Sequence, residues 1–96
     1  MTDDTGRLVF RTHAIQRMFE RRIDPSDVRR ILEVGEVLED YPDDMPYPSR
    51  LVLGWSESRP LHVVAVGEVE EDETIIITVY EPDPAKWELD FKRRRI

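Results

Sequence analysis

The residue types best suited to chemistry in this chain lie between Thr12 and Arg22, in the stretch T-H-A-I-Q-R-M-F-E-R-R. His13, Arg17 and Arg21 recur every four residues, with Gln16 and Glu20 beside them at helical spacing. At about 100° per residue these five cover roughly 140° of a helix surface, leaving Ala14, Ile15, Met18 and Phe19 on the opposite side. Side chains four apart on a helix have Cβ atoms about 6 Å from each other, so the row reaches about 12 Å. An imidazole works as general acid or base near neutral pH. Guanidiniums bind phosphate oxygens two at a time. Such a row has the groups to hold and cleave a phosphodiester; it also has the composition of a solvated helix face. Glu20, between two arginines, is better suited to orienting them than to accepting a proton.

Two further side chains are candidates. His62 stands in L-H-V-V-A-V, where neither strand face is wholly polar, and the favoured reading is a satisfied, half-buried histidine. Thr78 and Tyr80 are two apart and share a strand face; Tyr80 either offers its phenol to a substrate or caps the core with a wet hydroxyl. Neither histidine has the HxxxH, HxH or HExxH spacing of a metal site, so no metal or cofactor is expected. Glycine-rich phosphate loops and GxSxG are missing, and the aromatic residues are too scattered for an evident base-stacking platform.

The net charge of −7 argues against a nucleic-acid partner, but the charge is unevenly spread. Residues 1–30 are net +2, residues 31–91 net −13, and Lys92, Arg93, Arg94 and Arg95 add +4. Charges more than about 8 Å apart in physiological salt are largely screened, so a local basic patch can act on an acidic protein. Arg22, Lys92, Arg93 and Arg94 are accordingly candidate substrate-binding residues, provided that the tail lies near Arg17 and Arg21. The chain has no cysteine, no apolar run of about 20 residues and an acidic start, which together point to a cytoplasmic chain without a membrane segment.

Ninety-six residues suit one small domain over 1–96, with residues 1–6 loose and 92–96 a basic tail. Leu8-Val9-Phe10 is either a first strand or a lead-in to helix 1. That helix is expected from Thr12, as N-cap, to about Arg22. Asp24-Pro25 and Asp27 open a second helix, which Gly35 stops; the short link predicts a helical hairpin. Strands are expected at Glu36–Tyr41, Arg50–Trp55, Leu61–Val66 and Thr74–Tyr80. The loops between them are Pro42–Ser49, Glu57–Pro60 and Gly67–Glu73 with its acidic tip. Ala85–Phe91 follows as a short segment with Trp87 and Phe91 at helical spacing. The expected fold is α+β: two N-terminal helices on one face of a mainly antiparallel four-stranded sheet.

H-A-I-Q-R-M-F-E-R-R-I (His13 to Ile23) resembles the opening of a small, mostly uncharacterised bacterial domain family. The likeness continues through Asp27-Val28, Gly35–Pro42, Pro46–Gly54, P-L-H-V-V (Pro60 to Val64) and T-V-Y-E-P (Thr78 to Pro82), nearly the whole chain. That family in turn resembles the RelE-like toxins of toxin–antitoxin pairs, which are metal-independent ribonucleases. The resemblance implies a RelE-like two-layer domain, RNA and a cognate antitoxin protein as partners, and His13, Arg17, Arg21, His62 and Tyr80 as catalytic candidates. In that chemistry His13 or His62 removes the 2′-hydroxyl proton and Arg17 and Arg21 stabilise the phosphorane, a kind of term worth about 3–4 kcal/mol per donor. Tyr80 or the other histidine protonates the leaving oxygen. Such toxins are usually basic, whereas this chain is acidic. The competing readings are a non-catalytic module that meets a protein through Tyr41, Tyr47 and the Pro42–Pro48 loop, and an inactive copy of the toxin fold.

Overall fold

A computed structural model of the chain describes residues 6–43, 48–68 and 72–96. The elements run β1 (Arg7–Phe10), α1 (Thr12–Arg21), α2 (Pro25–Val34), β2 (Glu36–Tyr41), β3 (Ser49–Ser56), β4 (Arg59–Glu68) and β5 (Glu73–Tyr80). The fold is α+β, two helices on a five-stranded mixed sheet of order β1-β5-β4-β3-β2. The expected four-stranded sheet is one strand short. Leu8-Val9-Phe10 is a strand, and it pairs parallel with β5 while the other pairings are antiparallel. Its reason is apolar: Leu8 and Phe10, opposite Thr74 and Ile76, pack against the core and close the open side of β5. Arg7 and Glu73 pair at the strand start.

Both helices lie on one face. Ala14 and Met18 of α1, Val28 and Ile31 of α2, and Ile23 between them are buried on Val52, Leu61, Val63, Ala65, Ile76 and Val79 of the sheet. The expected helical hairpin does not form: α1 packs chiefly on β5, α2 on β3 and β4. The turn between them explains this. Arg22 takes a left-handed φ of 55°, its N–H bonds Phe19 O, and the Ile23 N–H bonds Met18 O at 2.8 Å. This double closure brings Ile23 back against Met18 and drives both into the sheet. At the other end the cap is Arg11 rather than Thr12, and no side chain caps α1. α2 is capped as expected, with Asp24 accepting from the Ser26 N–H at 3.0 Å and Pro25 at the first position. Gly54 lets α2 sit close: a Cβ there would run into the buried side chain of Ile31. Gly35 is needed for the same reason, since a Cβ would press on the carbonyls of Ile31 and Leu53.

The other sheet face is covered by the C-terminal segment. It opens with one turn, in which the Trp87 N–H bonds Asp83 O at 3.0 Å, and then folds back on itself: Trp87 bridges to Arg94, the Glu88 N–H bonds Arg93 O and the Arg95 N–H bonds Lys86 O, both at 2.8 Å. Trp87 and Phe91 both still turn onto the sheet, Trp87 on His62 and Phe91 on Trp55. Residues 1–5 of the expected loose start, 44–47 of the proline loop with Tyr47, and 69–71 of the acidic tip lie outside the described residues.

Candidate functional site

The five catalytic candidates divide between the two faces of the sheet. Val52, Val63 and Val79 are cross-strand partners and belong to the core under the helices. One residue along each strand, Leu53, His62 and Tyr80 are partners in turn, and side chains alternate along a strand. His62 and Tyr80 therefore point away from α1, and the sheet stands between them and His13, Arg17 and Arg21. One composite site of all five is not formed.

On α1 only Ala14 and Met18 turn inward. His13, Gln16, Arg17, Glu20 and Arg21 are exposed, as is Arg22 just beyond the helix. Arg17 makes a long 3.8 Å ion pair with Glu20. Arg59 at the start of β4 holds the helix end from outside, donating to the carbonyls of Arg21 at 2.6 Å and Arg22 at 3.1 Å. Those last carbonyls have no partner within the helix and attract a cation. The expected burial of Ile15 and Phe19 does not occur; Phe19 is 85% exposed. The apolar stripe is wider than the strip of helix that a flat sheet can cover, so its outer half stays in water. Residues 11–22 thus place four arginines, a histidine and an open phenyl ring on one short element.

His62 is fully buried, and both ring nitrogens are engaged. Nε2 is 2.8 Å from the Phe91 carbonyl and Nδ1 is 3.1 Å from the Tyr80 hydroxyl. A carbonyl only accepts, so Nε2 carries the proton and the Tyr80 O–H donates to Nδ1. Trp87 closes over the ring edge-on at 4.5 Å between centroids, and the Arg94 guanidinium lies over the Trp87 ring at 5.1 Å. Burial lowers the histidine's pKa; the Phe91 carbonyl opposes this and the charge of Arg94 adds to it. Burial raises the Tyr80 pKa, with Arg94 opposing and Glu39 adding. Both groups are neutral and locked on each other. They tie the C-terminal segment to the sheet.

The basic tail is on this second face as well. Lys92 pairs with Glu36 at 3.0 Å and the Arg95 Nε donates to the Pro84 carbonyl at 2.9 Å. Lys92, Arg93 and Arg94 are exposed but lie across the sheet from α1, so the condition for joint anion binding with Arg17 and Arg21 is not met. A hollow of about 470 Å³ opens between the end of α2, β3 and the tail, beside Val34, Leu53, Trp55 and Lys92. A second of about 410 Å³ lies against Glu88, Leu89, Asp90 and Arg95. None of the five candidates lines either. Among the described residues no three His, Asp or Glu side chains are grouped to hold a metal, and no helix is long and apolar enough to cross a membrane.

Sequence reasoning misses the roles of Arg59, Trp87 and Phe91. The helical spacing of Trp87 and Phe91 gives their shared direction, but no local signal gives His62 as their target. No curated protein and no solved structure matches the chain. Residues 10–81, most of its length, match the family described as Domain of unknown function (DUF4258), and the chain belongs to that family.

Proposed function

We propose that the chain is an RNA-directed, metal-independent protein of the RelE-like kind that holds RNA along the outer side of α1. The observation that carries this reading is the state of the α1 row. Its cations are exposed and the ion pair on Arg17 is loose, while the open ring of Phe19 stands on the other flank of the helix. Guanidiniums contact phosphates, and an exposed row of them makes a surface that can track a nucleic-acid backbone. The family that His13–Ile23 resembles is in turn similar to RelE-like toxins, and the placing of both helices on one sheet face is compatible with this reading. Cleavage would then use α1 alone. His13 removes the 2′-hydroxyl proton, the 2′-oxygen attacks phosphorus, and Arg17 and Arg21 stabilise the charge on the phosphorane. The 5′-oxygen leaves with a proton from solvent. His62 and Tyr80 take no part.

The test is a labelled single-stranded RNA oligonucleotide titrated with the chain in the presence of a chelator. The parent is expected to bind. Arg17→Ala/Arg21→Ala should weaken binding at least tenfold and flatten the log–log salt dependence by about 1.4, because two phosphates are no longer neutralised. Cleavage, read as a 2′,3′-cyclic phosphate end, should disappear in His13→Ala. RNA affinity unchanged in the double variant ends the proposal. A second reading, a non-catalytic binding module, is favoured by one observation: the histidine that has a built environment is sealed beneath Trp87. RNA binding without any cleavage product decides for it.

A further inference from the structure

We infer that the free edge of β2, with the hollow beside its first residue, receives an extended basic and apolar segment of a partner protein. Among the described residues the sheet order leaves β2 at an edge, next to β3 alone. Edge strands are normally made unattractive to other chains by lysine, proline or very short length. β2 is six residues long and has neither residue; its protecting features are a bulge at Leu38 and the acidic charges of Glu36, Glu39 and Asp40, which turn away acidic strands but not basic ones. Apolar side chains stay open around it: Val34 is 76% exposed, Val37 51% and Trp55 46%. The hollow of about 470 Å³ begins at Gly35 and Glu36, where Val34, Leu53 and Trp55 can take an apolar side chain of an added strand. Backbone pairing along an edge supplies affinity and such a pocket supplies selectivity.

Charge chooses the occupant. Residues 33–43 carry Glu33, Glu36, Glu39, Asp40 and Asp43 and no basic residue. The two cations that line the hollow are already engaged, Lys92 with Glu36 and Arg30 with Asp27 and the Trp55 carbonyl. A second copy pairing β2 on β2 would set acid against acid, and RNA would be repelled, whereas lysines or arginines alternating with apolar residues match the edge.

The test uses the whole chain and two eight-residue peptides, one alternating lysine and valine, the other glutamate and valine. Hydrogen exchange of the β2 amides and the Trp55 indole resonance are followed by NMR. The lysine peptide should slow exchange in β2 at least tenfold and shift the Trp55 signal; the glutamate peptide should do neither. Glu39→Lys/Asp40→Lys should reverse the preference. Glu39→Gln/Asp40→Asn, which keeps size and shape, should weaken the lysine peptide at least threefold. Equal effects from both peptides, no slowing with either, or protection by an RNA oligonucleotide overturns the inference. So does a β2-protected dimer in sedimentation of the chain alone.

Discussion

α1 and the His62 cluster hold similar materials, a histidine with arginine and a hydrogen-bonding neighbour, and the sheet between them gives each a different fate. On α1 the groups face water and the fold makes little use of them. Beneath Trp87 every group is used. His62 bonds on both sides, and no buried side-chain nitrogen or oxygen among the described residues lacks a partner. Residue type alone does not distinguish the two. Burial does, because a buried polar group must be satisfied internally, while an exposed one is satisfied by solvent or by a ligand.

The largest expected effect separates the two regions directly. His62→Ala removes a fully buried ring, leaves a cavity under Trp87 and strands the Phe91 carbonyl and the Tyr80 hydroxyl. Cavity and orphaned polar groups together should cost about 3–5 kcal/mol, read by urea denaturation. The C-terminal segment should also become open to limited proteolysis before the helices do. A loss below about 1 kcal/mol would mean that the cluster is not structural and that the comparison fails.

Acid sharpens the same contrast with a smaller effect. The folded pKa of His62 lies below its ordinary value of 6.5, so the fold prefers the neutral ring. Below pH 6.5 the unfolded chain binds a proton that the folded chain resists, and stability falls with falling pH. Above 6.5 the contribution is fully present. The slope from this one group is at most about 1.4 kcal/mol per pH unit. Asp24, whose pKa is lowered mainly by the Ser26 N–H, also loses its contribution in acid. The measurement is therefore the difference between parent and His62→Gln from about pH 7.5 to about pH 5. That difference should be flat above 6.5 and shrink below it.

Much of this architecture is legible in the residues, and the misses share a cause. Asp24-Pro25 and Gly35 mark α2, runs rich in Val, Ile and aromatics mark β3 to β5, and the change of period after Gly35 marks β2, because caps and alternation are local. Leu8–Phe10 stays open between strand and lead-in, since a four-residue strand is defined by its partner, β5, far along the chain. The helical hairpin fails because spacing along the chain does not say whether two helices prefer each other or the sheet. The site divides for a similar reason. His62 and Tyr80 stand on strands as expected, but which face the helices choose depends on the whole pattern of the sheet.

The smallest expected effect is the most informative about α1. His13→Ala and Arg17→Ala should each change stability by no more than about 0.5 kcal/mol, since the groups are exposed and the Arg17–Glu20 contact is a long surface pair. Phe19→Ser should be as mild, because a ring 85% exposed gives the core almost nothing. Thermal melts of the three variants check this. If Arg17→Ala destabilises by more than about 1 kcal/mol, the row is structural and the RNA reading loses its support. If all three melt with the parent, their composition is not explained by folding: a solvated helix of an acidic protein has no need for four arginines and a phenyl ring along residues 11–22. Near-neutral stability together with a tenfold loss of RNA affinity would put the reason for the row outside the molecule.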